Sequence, residues 1–127
     1  MNYPENLKYT KDHEYVRVEG KKAYIGITFH AQDQLGDVVF VELPELDAEI
    51  KQGEVLATVE SVKAVSDVYA PVSGIVVEVN DSLADSPETI NNDPYGEGWI
   101  CAIELSDVSE LDNLMSRDDY QKLVEED

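Results

Sequence analysis

Glu60-Ser61-Val62-Lys63-Ala64-Val65-Ser66-Asp67 joins two short runs that read as strands, Val55 to Val59 and Val65 to Tyr69. Both runs are rich in valine, and Gly53 and Pro71 bound the pair, which is the pattern of a hairpin with Glu60 to Ala64 at its turn. The turn carries a lysine, and no further Lys or Arg follows until Arg117. Val62 and Ala64 are too small to bury that side chain, so a tight turn here holds an ammonium out and fixes its direction. Glu60 and Asp67 bracket it by sequence. Anions favour the charged form of an amine, so a lysine between carboxylates is a poor nucleophile or Schiff base and a better attachment point. Acylation would remove its charge and leave a long neutral arm. The plain alternative is a solvated surface lysine.

Working outward, Tyr15 to Val18 and Ala23 to Ile27 flank Glu19-Gly20-Lys21-Lys22 as a second hairpin. Thr28 is placed to cap a short helical turn through His30, Ala31 and Gln32 that closes at Gly36. Asp37 to Leu43 reads as a strand stopped by Pro44, and Ser73-Gly74 turns the chain into another at Ile75 to Val79. Asp85-Ser86-Pro87-Glu88 resembles a helix start, and residues 91–98 are dense in turn formers before a last strand at Trp99 to Leu105. The tail is expected to be helical, with Leu111, Leu114 and Met115 on one face and Ser116 with Asp119 as a capping box ahead of Tyr120, Leu123 and Val124. The pairs 15–27 and 65–79 look loosely alike, a faint sign of duplication. Many short strands without long alternating helices predict a mainly β sandwich or barrel with peripheral helices, in one domain over 1–127.

Composition narrows the function. Nine Lys and Arg against 28 Asp and Glu give a formal charge of -19. That balance lacks the basic footprint that nucleic acid or an anionic membrane surface requires. The single cysteine, Cys101, lies in the apolar run 99–103 and reads as a buried structural thiol; one cysteine forms no internal disulfide, which fits a reducing compartment. No signal segment or membrane-length apolar run is visible, so a cytoplasmic chain is expected. His13 and His30 have no Ser or Cys in a nucleophile motif beside them, and the carboxylates match no metal-ligand spacing, so neither an enzyme nor a metal site is expected.

The stretch 60–67, followed by Val68-Tyr69-Ala70-Pro71-Val72-Ser73-Gly74, resembles the lipoyl-attachment signature of the glycine cleavage system H protein family. Leu7-Lys8-Tyr9, His13-Glu14, Gly26-Ile27-Thr28, Leu35 to Glu45, Ala84 to Pro87, Asp93 to Gly96 and Gly98-Trp99 match in the same order, so the resemblance spans the chain. It implies a barrel-sandwich hybrid of the lipoyl and biotinyl carrier type, with lipoate amide-linked to Lys63 and Glu60, Ser61, Val62 and Ala64 read by lipoate-attaching enzymes. It implies a non-catalytic monomer whose arm collects an aminomethyl group at the pyridoxal-phosphate-dependent glycine decarboxylase. The group passes to tetrahydrofolate at an aminomethyltransferase, and dihydrolipoamide dehydrogenase reoxidises the dithiol. By the same resemblance the loaded arm folds into a cleft where Glu14 and Asp67 hold the cationic amine, with His30 alongside.

Three positions depart from the family pattern. Phe29 stands where a polar or acidic residue is more usual, Asp47 where a glycine usually follows the Pro-Glu-apolar stretch, and Val65 where Ala or Thr is common. Rival readings are a biotinyl carrier, which presents its lysine between methionines, and a lipoyl carrier serving mainly as donor in lipoyl relay to other proteins.

Overall fold

Gly20 adopts φ 65, a conformation that favours glycine, and closes a tight turn between β2 (Glu14–Glu19) and β3 (Lys22–Ile27). The two pair antiparallel from Glu14↔Ile27 to Glu19↔Lys22. The computed structural model describes residues 3–126; Met1, Asn2 and Asp127, part of the expected domain, lie outside the described residues. A six-stranded sheet runs in the order β1 (Lys8–Tyr9), β2, β3, β9 (Cys101–Leu105), β8 (Gly74–Val79), β5 (Glu49–Ile50). A three-stranded sheet runs β4 (Val38–Glu42), β6 (Val55–Ser61), β7 (Val65–Tyr69). Every pairing between these strands is antiparallel.

The sheets share one apolar core. Val16, Ile25, Val76 and Ile103 from the larger sheet pack in the same cluster as Val41, Val59 and Val68 from the smaller. This is the mainly β sandwich with short helices that the sequence predicts, and closing two sheets over one core leaves few bare edges. Cys101 is fully buried in that core, and burial pushes its thiol up to about 12. A second cluster gathers Tyr3, Leu7, Tyr9, Tyr15 and Tyr120. Here Tyr120, from the terminal helix α4 (Arg117–Glu126), stacks on Tyr9 with ring centroids 4.7 Å apart.

Helix α1 (Phe29–Leu35) begins as expected: Thr28 Oγ1 accepts from the Ala31 N–H at 3.2 Å. It ends at Gly36, which has φ 80 and donates its N–H to the Gln32 carbonyl. Short helices α2 (Ser82–Asp85) and α3 (Thr89–Asn92) follow β8.

Elsewhere the chain departs from the sequence expectation. The helix start expected at 85–88 leads into α3, with Glu88 at its N-cap, but a separate short helix, α2, precedes it and was not expected. The last strand begins at Cys101 rather than Trp99. The tail is not one helix from Leu111. A 3-10 turn spans Val108–Asn113, and Met115 then exchanges backbone hydrogen bonds of 2.9 and 2.7 Å with Tyr9 before α4 starts. Leu111 and Leu114 consequently face the main core while Met115 joins the aromatic cluster. Ser116 Oγ does accept from the Asp119 N–H at 3.3 Å. The apparent likeness of 15–27 and 65–79 has no structural counterpart, since β7 and β8 belong to different sheets.

Asp47, where the resemblance leads one to expect glycine, adopts φ 67, one of the left-handed positions that aspartate tolerates better than most side chains. Phe29 packs against the aromatic cluster, and its N–H donates to Tyr95 Oη at 2.9 Å. Among the described residues, no helix is long and apolar enough to cross a membrane.

Gly74 allows β8 and β9 to approach closely: a Cβ there would fall onto the Glu104 carbonyl oxygen and 2.6 Å from Ile103 Cγ2. Gly74→Ala is therefore expected to cost about 3 kcal/mol or more, the scale of core overpacking against backbone. Urea denaturation checks this, and a loss near zero would show that the strands part freely.

Candidate functional site

The β6–β7 hairpin is tighter than the sequence indicates. Ser61 N–H donates to the Ala64 carbonyl at 2.8 Å, leaving Val62 and Lys63 at the tip. Ser61 Oγ accepts from the backbone N–H groups of Lys63 (3.3 Å) and Ala64 (3.0 Å), a hydroxyl organising its own turn. Val62 N–H donates to the Asp37 carbonyl at 3.1 Å, fastening the tip to the segment between α1 and β4. Val62, Lys63 and Ala64 are all exposed.

The lysine does not lean on its acidic neighbours in sequence. Among the described residues no ion pair joins Lys63 to Glu60 or Asp67. The register explains why. Phe40, Glu60 and Val65 form one row across the three-stranded sheet, and Glu42, Thr58 and Asp67 form another, while Val41, Val59 and Ser66 make the row between them on the opposite face. Asp67 Oδ1 instead accepts from Thr58 Oγ1 at 3.4 Å. The lysine stem runs over α1's end: its Cε lies 3.4 Å from where a Cβ on Gly36 would stand.

One residue before Gly36, Leu35 lines a cavity of about 550 Å³. Glu14, His30 and Asp67, the three expected cleft residues, all line it, together with His13 and Ser66. Its apolar wall comes from Ile27, Leu35, Val59 and Val68. The His13 and His30 rings lie 4.5 Å apart, and His13 Nδ1 is 2.8 Å from Tyr120 Oη, which also meets Thr28 Oγ1 at 2.7 Å.

Glu14 is the deepest charged group, 2% exposed. One carboxylate oxygen accepts from Thr10 Oγ1 at 2.6 Å and the other from the Tyr69 N–H at 3.0 Å. Tyr69 lies on the free edge of β7, so the side chain of a strand in one sheet completes the backbone bonding of the other. Burial lifts the Glu14 carboxyl from 4.5 to about 7, against the two hydrogen bonds that pull it down.

Ser66 and Gln34 escaped the sequence reading. Alternation along β7 was the available sign for Ser66, because it shares a face with Val68; Gln34 lies one turn on from His30 in α1. Among the described residues, no group of three or more His, Cys, Asp or Glu is placed to hold a metal ion.

Two packed sheets with a lysine held out at a hairpin tip, beside a cleft part apolar and part acidic, define a carrier domain of the lipoyl type. Residues 7–127 match the family model of the glycine cleavage H-protein. A glycine cleavage system H protein of Brevibacillus brevis is 58% identical over 126 residues, covering 99% of this chain and all of that protein. Its counterpart from Coprothermobacter proteolyticus is 61% identical over 127 residues, with 99% and 100% covered. A crystal structure of the glycine cleavage system H protein from Mycobacterium marinum superposes with a TM-score of 0.87 at 40% identity, over 94% of this chain and 97% of that one. The chain belongs to the glycine cleavage H-protein family, the lipoyl carriers of the glycine cleavage system.

The raised Glu14 carboxyl links stability to pH. The folded state keeps this proton to higher pH than the unfolded chain, so the contribution is complete below about 4.5 and is lost as pH rises to about 7. Glu14→Gln removes it. The variant is expected to gain on wild type by up to about 3 kcal/mol between about pH 5 and about pH 8, at 1.36 kcal/mol per tenfold. Urea midpoints across that range read the difference, and a flat difference would place the carboxyl in water.

Proposed function

We propose that lipoate is attached to Lys63, and that residues 1–127 act as one non-catalytic carrier domain presenting the arm in turn to glycine decarboxylase, an aminomethyltransferase and dihydrolipoamide dehydrogenase. The observation that carries this reading is the path of Lys63: exposed at a rigid tip, its stem runs over Gly36 beside the cavity wall at Leu35. Bound lipoate supplies a dithiolane whose sulfur takes up a one-carbon unit and is later reoxidised.

The chain's own residues prepare the attachment. Ser61 fixes the turn, and Val62 and Ala64 leave the ammonium clear for a lipoate-attaching enzyme. The Lys63 amine forms its amide by attacking an activated acyl carbonyl, gives up a proton, and the acyl leaving group departs with its electron pair. Glu60, in the outward row with Phe40 and Val65, borders the face that such an enzyme would cover.

The cavity fits the arm in its chemistry. Its apolar wall suits a hydrocarbon stem, and Glu14 gives an ammonium one carboxylate; Asp67 also lines the cavity, and its carboxylate would leave Thr58 to become the second. An arriving cation would stabilise the charged form of Glu14 and draw its proton off, turning a desolvated carboxyl into half of an ion pair. His30 contributes a polar ring to the same wall. Closing this space over an arm excludes water from its tip. We place the carrier in the cytoplasm as a monomer.

Protein made with lipoate and its ligase is expected to gain one lipoyl amide, mapped by peptide mass to Lys63. Lys63→Arg is expected to stay unmodified while stability changes by less than about 0.5 kcal/mol, as for an exposed site. An adduct at another lysine would sink the assignment.

A further inference from the structure

The lysine-bearing tip is held from outside the hairpin, and the hold leads back to one amide. Asn91, in α3, makes three hydrogen bonds into the α1–β4 junction. Its Oδ1 accepts from the Val38 N–H at 2.8 Å, and its Nδ2 donates to the Gly36 carbonyl at 2.8 Å and to Gln32 Oε1 at 3.0 Å. Gln32 is buried and donates onward to the Phe29 carbonyl at 3.0 Å. The junction fixed in this way is the one that touches the tip: Asp37 accepts from Val62, and Gly36 underlies the Lys63 stem.

We infer that Asn91 is a positioning residue for modification of Lys63, acting through Gly36 and Asp37 to set where the amine stands. This rests on the reading of Lys63 as the attachment site. The physical case is one of pre-organisation. A lysine stem has many rotamers, and a backing surface in a single conformation reduces the number the attaching enzyme must sort. The Asn91 side chain matches the junction group for group: one acceptor for a backbone N–H and two donors for two oxygens. An aspartate there keeps the acceptor, loses both donors, and sets a carboxylate against the Gly36 carbonyl and Gln32 Oε1.

The test compares Asn91→Asp, Gly36→Ala and wild type as substrates of a lipoate ligase, with initial rates followed by intact mass. Gly36→Ala perturbs the same junction from the other side, since an alanine is strained at φ 80 and must shift the backbone on which the Lys63 stem rests. At saturating carrier both variants are expected to show kcat reduced about tenfold with KM little changed, the mark of a misplaced nucleophile rather than lost docking. Exchange of the Val62 amide with deuterium should quicken in Asn91→Asp without any ligase present. Ile103→Val, a core change far from the tip, serves as the control for lowered stability and should keep wild-type kcat.

Folded Asn91→Asp with wild-type kcat and unchanged Val62 exchange would overturn the inference alone. An equal fall in kcat for Ile103→Val would overturn it too, by assigning the effect to stability. Wild type left unmodified at Lys63 would instead remove the attachment reading and this inference with it.

Discussion

A buried carboxylate joins the two sheets. Glu14 leaves β2 in the larger sheet and accepts the N–H of Tyr69 on the free edge of β7 in the smaller. That edge amide has no strand partner on this side, and the carboxylate supplies the acceptor it would otherwise lack. Burying a carboxylate is itself costly, and the raised affinity for its proton measures that cost. The two penalties meet in one hydrogen bond and partly cancel. What remains is an acidic group fixed in the cleft, anchored to the same strand that rises to the lysine.

Much of this was legible in the sequence, and the reasons are local. The 55–69 hairpin, the Gly20 turn and the Thr28 cap each depend on residues a few positions apart, so propensity and turn chemistry reveal them. Asp47 was noted only as a departure from the usual glycine; its left-handed backbone emerges with the structure. The two-residue strands β1 and β5 were not legible, because strands so short owe their form to partners far along the chain. The tail was misread for a related reason. Leu111, Leu114 and Met115 have helical spacing, but the backbone of Met115 is claimed by Tyr9, more than a hundred residues earlier.

The site divides in the same way. Lys63 came from its own hairpin, while the cleft residues Glu14, His30 and Asp67 came from a resemblance carried by motifs, and the fold gathers these three around one cavity. The acidic bracket around Lys63 came from sequence distance alone and is absent as an ion pair, because sheet register turns Glu60 and Asp67 into rows of their own. Asn91 gave no sign at all. Its meaning lies in a match of donors and acceptors across α1, α3 and β4, which only folding brings into one place.

Cys101 has a consequence for redox traffic. A carrier whose arm cycles between disulfide and dithiol exposes its own thiols to exchange, and exchange proceeds through the thiolate. Cys101 is sealed in the core, and burial pushes its thiol up, so the thiolate that exchange needs is strongly disfavoured there. The chain has no other cysteine. On the proposed attachment at Lys63, electrons placed on the arm would find no sink on the body bearing it, and burial alone would close off mixed disulfides within the carrier.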